Sequence, residues 1–129
     1  MRKLIIFVTL SITSLFAFGD SKFDIDEKMY QAFLLSTQKE FNKSQEAYKA
    51  LLVHKSNMNL NQKANIYKSL LELSYILDDP NGALTYGNDL IDLIHDKPDY
   101  SEALERIKYR ICLSEDWAKF RHLFKQQCG

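Results

Sequence analysis

The residues of this 129-residue chain whose types suit chemistry are few: two cysteines, three histidines and seven glutamates. A catalytic or metal centre needs such groups to converge. His54, His95 and His122 include no pair four residues apart, so no two of them share a helix face as metal ligands would. His54 follows Leu52-Val53 and His95 follows Leu93-Ile94. Each reads as the end of a helix, where a partly charged imidazole meets the negative end of the dipole. The glycines are isolated, which leaves no phosphate-cradling loop, and no serine is marked by its neighbours as a nucleophile. Glu27, Glu40, Glu46, Glu72, Glu102, Glu105 and Glu115 offer the carboxylates that a glycan-cleaving enzyme needs, but none sits in a distinctive local motif. The expectation is therefore no catalytic residue, no metal and no cofactor.

Cys112 and Cys128 suit a disulfide in an oxidising compartment. The elements argue otherwise. If residues 117–128 form one helix, they span about 16 Å, whereas a disulfide tolerates Cα atoms only up to about 7 Å apart. Cys112 is thus expected as a core or groove thiol, and Cys128 as a loose tail thiol able to bridge two molecules.

The elements that must position these residues are helices throughout. Leu, Ala, Lys, Glu and Gln dominate, and apolar residues recur at helical spacing. A first helix is expected from about Asp26 to Lys39, with Met29, Phe33 and Leu34 on its apolar side. A second runs from about Lys43 to His54 on Ala47, Tyr48, Leu51 and Leu52. Asn59 and Gln62 make a capping box for a third, which uses Ile66, Tyr67, Leu70, Leu71, Ser74 and Leu77. Asp79 caps a fourth and Pro80 fits its first turn, where no N–H is needed. Gly87 lies inside this helix at a cost of about 1 kcal/mol relative to Ala; close helix–helix approach and a locally weak helix both fit it. Asp99 and Glu102 form the next capping pair. The fifth helix carries Ala103, Leu104, Ile107, Ile111 and Cys112, and the sixth carries Trp117, Phe120, Leu123 and Phe124. Short connections make three antiparallel hairpins, at about 26–54, 60–95 and 100–126.

The first nineteen residues stand apart. Arg2 and Lys3 precede an uncharged run from Leu4 to Phe18, and Ala17-Phe18-Gly19 places small residues where a signal peptidase reads. This is the pattern of a secretory signal peptide, cut between Gly19 and Asp20. An uncleaved anchor wants about 20 apolar residues, and this shorter run also contains Thr9, Ser11, Thr13 and Ser14. Residues 20–129 are then one exported domain, periplasmic or secreted, with no stable membrane insertion. Seventeen basic and seventeen acidic side chains balance over the whole chain, which excludes the basic excess of a nucleic-acid binder. Along the chain the charge is polarised. Residues 72–105 carry nine acids against Lys97, and residues 106–125 carry six bases against Glu115 and Asp116. Solvated helix faces account for such runs, and so does a surface that orients a partner or a second copy.

Phe41, Pro80 and Trp117 hold the same place in the three hairpins, at intervals of 39 and 37 residues. In the first hairpin Phe41 opens the second helix, with Ser44, Tyr48 and Leu51 following and Ala32 as the small residue of the first helix. This unit resembles the tetratricopeptide repeat family, whose period is about 34 residues. In the second hairpin Ala83 keeps the small position and Gly87 replaces the aromatic. In the third, Trp117 fits, Phe120 is too large for the small site, and Phe124 fills the aromatic one. The resemblance covers about residues 25–126 and implies an all-α, right-handed superhelix of three antiparallel helix pairs, with an irregular six-helix bundle as the competing architecture. It further implies that the first helices of successive hairpins line a groove for a peptide or partner helix. Residue by residue, the groove positions are Met29, Phe33 and Thr37, then Lys68, Glu72 and Tyr75, then Glu105, Tyr109 and Cys112. Trp117, Phe120 and Phe124 either pack onto the fourth and fifth helices or leave a stripe for self-association as a homodimer. The function expected is an exported interaction module, adaptor or scaffold, for a protein or peptide of the cell envelope. A structural subunit of an envelope assembly is the alternative, and a cell-wall-acting enzyme using Glu72 or Glu105 a further one.

Overall fold

The structure, a computed structural model, describes residues 24–129. The leader assigned to residues 1–19 lies outside the described residues. Among the described residues the fold is all helical. It consists of α1 (Ile25–Thr37), α2 (Phe41–Leu51), a 3₁₀ segment (Leu52–Asn57), α3 (Leu60–Ile76), α4 (Pro80–Ile94), a 3₁₀ turn (Pro98–Tyr100), α5 (Ser101–Cys112), a long 3₁₀ segment (Glu115–Leu123) and α6 (Lys125–Cys128). No described helix is long and apolar enough to cross a membrane.

Local chemistry sets most of these boundaries. The Asp24 carboxylate accepts from the Glu27 N–H at 3.2 Å and so caps α1, while Asp26 and Glu27 occupy the first turn, where the dipole favours acids. Asn59 and Gln62 form the reciprocal capping box of α3, at 2.8 and 3.0 Å. Asp79 accepts from the Gly82 N–H at 3.0 Å, with Pro80 opening α4. The expected Asp99–Glu102 cap does not form. Pro98 instead starts a 3₁₀ turn that leads into α5 without a side-chain cap.

The turns inside the helix pairs repeat. After α1 the Glu40 N–H donates to the Leu35 carbonyl at 2.9 Å, and after α3 the Asp79 N–H donates to the Ser74 carbonyl at 2.8 Å. The residue before each donor, Lys39 (φ 63°) or Asp78 (φ 58°), takes the left-handed conformation. This is the helix ending usually given to glycine, adopted here by side chains that bear a steric cost for it. After α5 the same five-residue bond joins the Ser114 N–H to the Tyr109 carbonyl at 3.1 Å, but Leu113 stays at φ −127°. The third turn therefore leaves in a different direction.

α3 is the spine. Ile66, Leu70 and Leu73 face a core with Ile25, Ala32, Tyr48, Leu51 and Met58 from α1, α2 and the following loop. Tyr67, Leu71 and Tyr75 face a second core built from α4, α5 and the C-terminal segment. In the first hairpin the small residues meet: Ser44 is fully buried, and its hydroxyl donates to the Ala32 carbonyl at 2.7 Å. Gly87 serves close approach, since a Cβ there would lie 2.8 Å from the Phe124 ring and 3.4 Å from Leu71.

The C-terminus departs from expectation. No single sixth helix spans 117–128. Trp117 breaks the 3₁₀ run at φ −111°, ψ 17°, and Phe124 breaks the chain again at φ −107°, ψ 43°. These two bends return Cys128 to Cys112, whose Cα atoms lie 5.5 Å apart and whose sulfurs are bonded. The expected pair of free thiols is thus corrected to a disulfide, because the straight helix that kept them apart is absent. Trp117, Phe120 and Phe124 are buried at 4%, 6% and 0% exposure. They pack as the end cap of the second core and leave no exposed aromatic stripe of their own for self-association.

Candidate functional site

Three helices carry the surface that the groove register points to. α1 and α3 wall one pocket of about 490 Å³, lined by Asp26, Met29, Tyr30, Phe33, Lys68 and Glu72 among others. α3 and α5 wall a second, also about 490 Å³, with Asn61, Ala64, Lys68, Ala103, Arg106 and Arg110 on its sides and Leu90 and Ile94 of α4 beneath. Asn65 and Lys68 line both. The two pockets therefore adjoin across α3, which is the ridge between them, and together they make up a trough. Helix periodicity explains the shared wall: Asn61, Asn65 and Lys68 stand at i, i+4 and i+7 of α3, and Ala103, Arg106, Ile107 and Arg110 at i, i+3, i+4 and i+7 of α5.

The two ends differ in chemistry. At the α1 end Tyr30 and Phe33 are 60% and 51% exposed, so large aromatic rings meet water beside Met29. The carboxylates at this end are already occupied. Asp26 accepts from the Gln62 amide at 3.0 Å, which ties α1 to α3, and Glu72 accepts from Arg110 at 3.2 Å. At the α5 end the charged lining is Lys68, Arg106 and Arg110, with no carboxylate. The Tyr100 hydroxyl donates to the Asn61 side chain and closes this end.

Arg110 is held on three sides. Its guanidinium reaches Glu72 at 3.2 Å and Asp116 at 3.3 Å, and it lies 3.8 Å above the Trp117 ring. Such cation–π contact suits the planar, weakly hydrated guanidinium better than an ammonium. The Trp117 ring stacks on Tyr75 at 4.2 Å and 6°, and Phe120 tilts against Tyr75 at 5.0 Å. Burial pushes the Tyr75 phenol up to about 12, against the opposing pull of Arg110 and Arg121. Its hydroxyl is buried without a hydrogen-bond partner among the described residues. Asp116 is held below the usual carboxylate range, first by the Ser114 hydroxyl and also by Arg110.

The expected groove residues separate accordingly. Met29, Phe33, Lys68 and Glu72 line the trough. Tyr75 does not face it; it lies in the aromatic stack at 4% exposure because Trp117 crosses its side of α3. Thr37 is exposed and donates to the Leu34 carbonyl at 2.7 Å, and Glu105 is exposed outside both pockets. Tyr109 is 59% exposed and lines neither pocket. Cys112 is in the disulfide. The register missed Tyr30, Asn65, Arg106 and Arg110, each of which lies three or four residues from a residue lining the same pocket. His95 ends α4, where its N–H donates to the Ile91 carbonyl at 2.9 Å. His54 lies beyond the end of α2, inside the 3₁₀ segment. Among the described residues no group of three or more His, Cys, Asp or Glu is placed to hold a metal ion. Comparison with protein-family models, with curated proteins and with solved structures gave no match for this chain.

Proposed function

We propose that this protein is an exported interaction module of tetratricopeptide-like architecture, a right-handed superhelix of helix pairs whose first helices hold a peptide or partner helix. The observation that carries the reading is the trough shared by α1, α3 and α5. These are the first helices of the three units, and α3 contributes Asn65 and Lys68 to both of its pockets. Supporting it, the hairpin turns repeat with the same five-residue hydrogen bond, and the small residues Ala32, Ser44 and Ala83 are fully buried. Exposed aromatic rings in a trough are a recognition feature, since they offer large contact area at low cost in side-chain entropy. The disulfide supports export, because such bonds persist in oxidising compartments.

The test is site-specific photocrosslinking in the producing cell. A benzoylphenylalanine at position 33 should give a discrete adduct. One at Val53, outside both pockets and 78% exposed, should give none. Equal labelling from both positions would remove the trough from consideration. Export is checked separately by the N-terminal sequence of the recovered protein, expected to begin at Asp20.

A further inference from the structure

The charged lining of the α3–α5 pocket is positive. Lys68, Arg106 and Arg110 rim the pocket between α3 and α5, and no carboxylate lines it. Arg106 and Arg110 open the basic stretch 106–125, and the acidic stretch 72–105 adds no carboxylate to this pocket. α5 turns Glu102 and Glu105 away while Ala103, Arg106, Ile107 and Arg110 line the pocket. The two carboxylates that line the trough both stand in the α1–α3 pocket: Glu72 is paired with Arg110, and Asp26 keeps its charge beside the neutral Gln62 amide. Lys68, on the central ridge, makes no ion pair with any described residue. Arg106 has only an exposed pair to Glu102 at 3.4 Å, of the kind worth little in water. Beneath this basic rim lies an apolar floor of Leu90, Ile94 and Ile107, at 2%, 1% and 5% exposure.

We propose that the occupant of the trough is an acidic amphipathic segment of a partner protein. One of its apolar side chains enters the α3–α5 pocket, and side-chain carboxylates on either side of it pair with Lys68 and Arg106. A second apolar side chain lies against Met29, Tyr30 and Phe33. The assignment rests on the interaction-module reading above and adds the chemistry of the partner. The carboxylates add selectivity and speed of encounter more than raw affinity, as charges at an interface rim do.

The test uses the full chain, uniformly labelled with ¹⁵N, and three peptides with the same leucines at helical spacing. Their intervening residues are all Glu, all Gln or all Lys. Each is acetylated and amidated, so that only side-chain charge is offered. The Glu peptide is expected to shift the amides of Lys68, Ala103 and Arg106 and to bind about tenfold more tightly than the Gln peptide, with the gap closing as salt is raised. The Lys peptide should bind most weakly. Reversal of the rim with Lys68→Glu and Arg106→Glu should invert the order, with spectral dispersion showing that the variant is folded. Equal binding of the Glu and Gln peptides along the trough would overturn the charge assignment and leave the interaction module standing. No shift in the trough with any peptide at millimolar concentration would overturn both. A concentration-dependent dimer that blocks the trough would identify a second copy as the occupant and overturn the assignment.

Discussion

Removal of the Cys112–Cys128 bond should loosen the C-terminal cap before it unfolds the rest of the protein. The bond closes a loop over a sequence separation of 16 residues. Loop-closure entropy for a ring of that size is worth about 3 kcal/mol to the folded state. The loop encloses Trp117, Phe120 and Phe124, each at most 6% exposed, so the second core loses its end wall when the loop opens. For a domain of this size each kcal/mol moves the melting temperature by roughly 4–8 °C, so the Cys112→Ser, Cys128→Ser double variant should melt roughly 12–24 °C lower. Trp117 is the single tryptophan, which makes its fluorescence a reporter of this segment alone. Its emission should shift to the red in the variant, or on reduction of the wild type, at temperatures where far-ultraviolet circular dichroism still shows intact helices. Thiol labelling of unreduced, denatured protein should find no free cysteine. Two reactive thiols in that assay, or a variant that melts within two or three degrees of the wild type, would refute the reasoning.

Three further outcomes follow from the packing. Gly87→Ala gains about 1 kcal/mol of helix propensity, but its Cβ would meet the buried Phe124 ring at 2.8 Å, and overpacking costs about 1–3 kcal/mol. A lower denaturant midpoint is expected, and a raised one would show that Phe124 yields freely. The neutral Tyr75 phenol is the form the folded state prefers, so its contribution to stability is complete below pH 10 and is lost as pH rises toward about 12. Unfolding free energy should fall by on the order of 2 kcal/mol across that window, and a smaller loss in Tyr75→Phe checks the source. Arg110→Lys keeps the charge but not the planar stack on Trp117, and should destabilise by about 1 kcal/mol; a midpoint equal to wild type would show that the ion pairs alone hold this corner.

Most of the fold was legible where a helix end carries its own signal. Asn59 with Gln62, and Asp79 before Pro80, fix the starts of α3 and α4 through bonds three residues long. Gly87 fits both a close approach and a weak helix from the sequence, and only the packed Phe124 ring decides between them. The last segment differs from the expected helix because apolar spacing alone does not separate an α-helix from a 3₁₀ run. Trp117, Phe120 and Leu123 recur at strict intervals of three, which is the 3₁₀ period, and that signal was present. The repeat resemblance places Tyr75 in the groove. Its side chain is instead decided by Trp117, forty-two positions along the chain, and no local pattern carries that. Asp99 failed as a cap because Pro98 had already turned the chain.

The aromatic stack and the trough are parts of one construction. Arg110 belongs to the wall of the α3–α5 pocket, but its place is set by Trp117 beneath it and Asp116 beside it. Both of those residues lie inside the loop that the disulfide closes. α5 alone would leave a long, flexible arginine free to sample solvent, at a cost in side-chain entropy whenever it was called on to bind. The stack prepays that cost during folding, so the pocket wall that Arg110 forms is set in advance. The segment that returns Cys128 to Cys112 therefore does more than cover the end of the core. It holds Arg110 where it neutralises Glu72, which ties the charge balance of the proposed binding surface to the packing of the C-terminal cap.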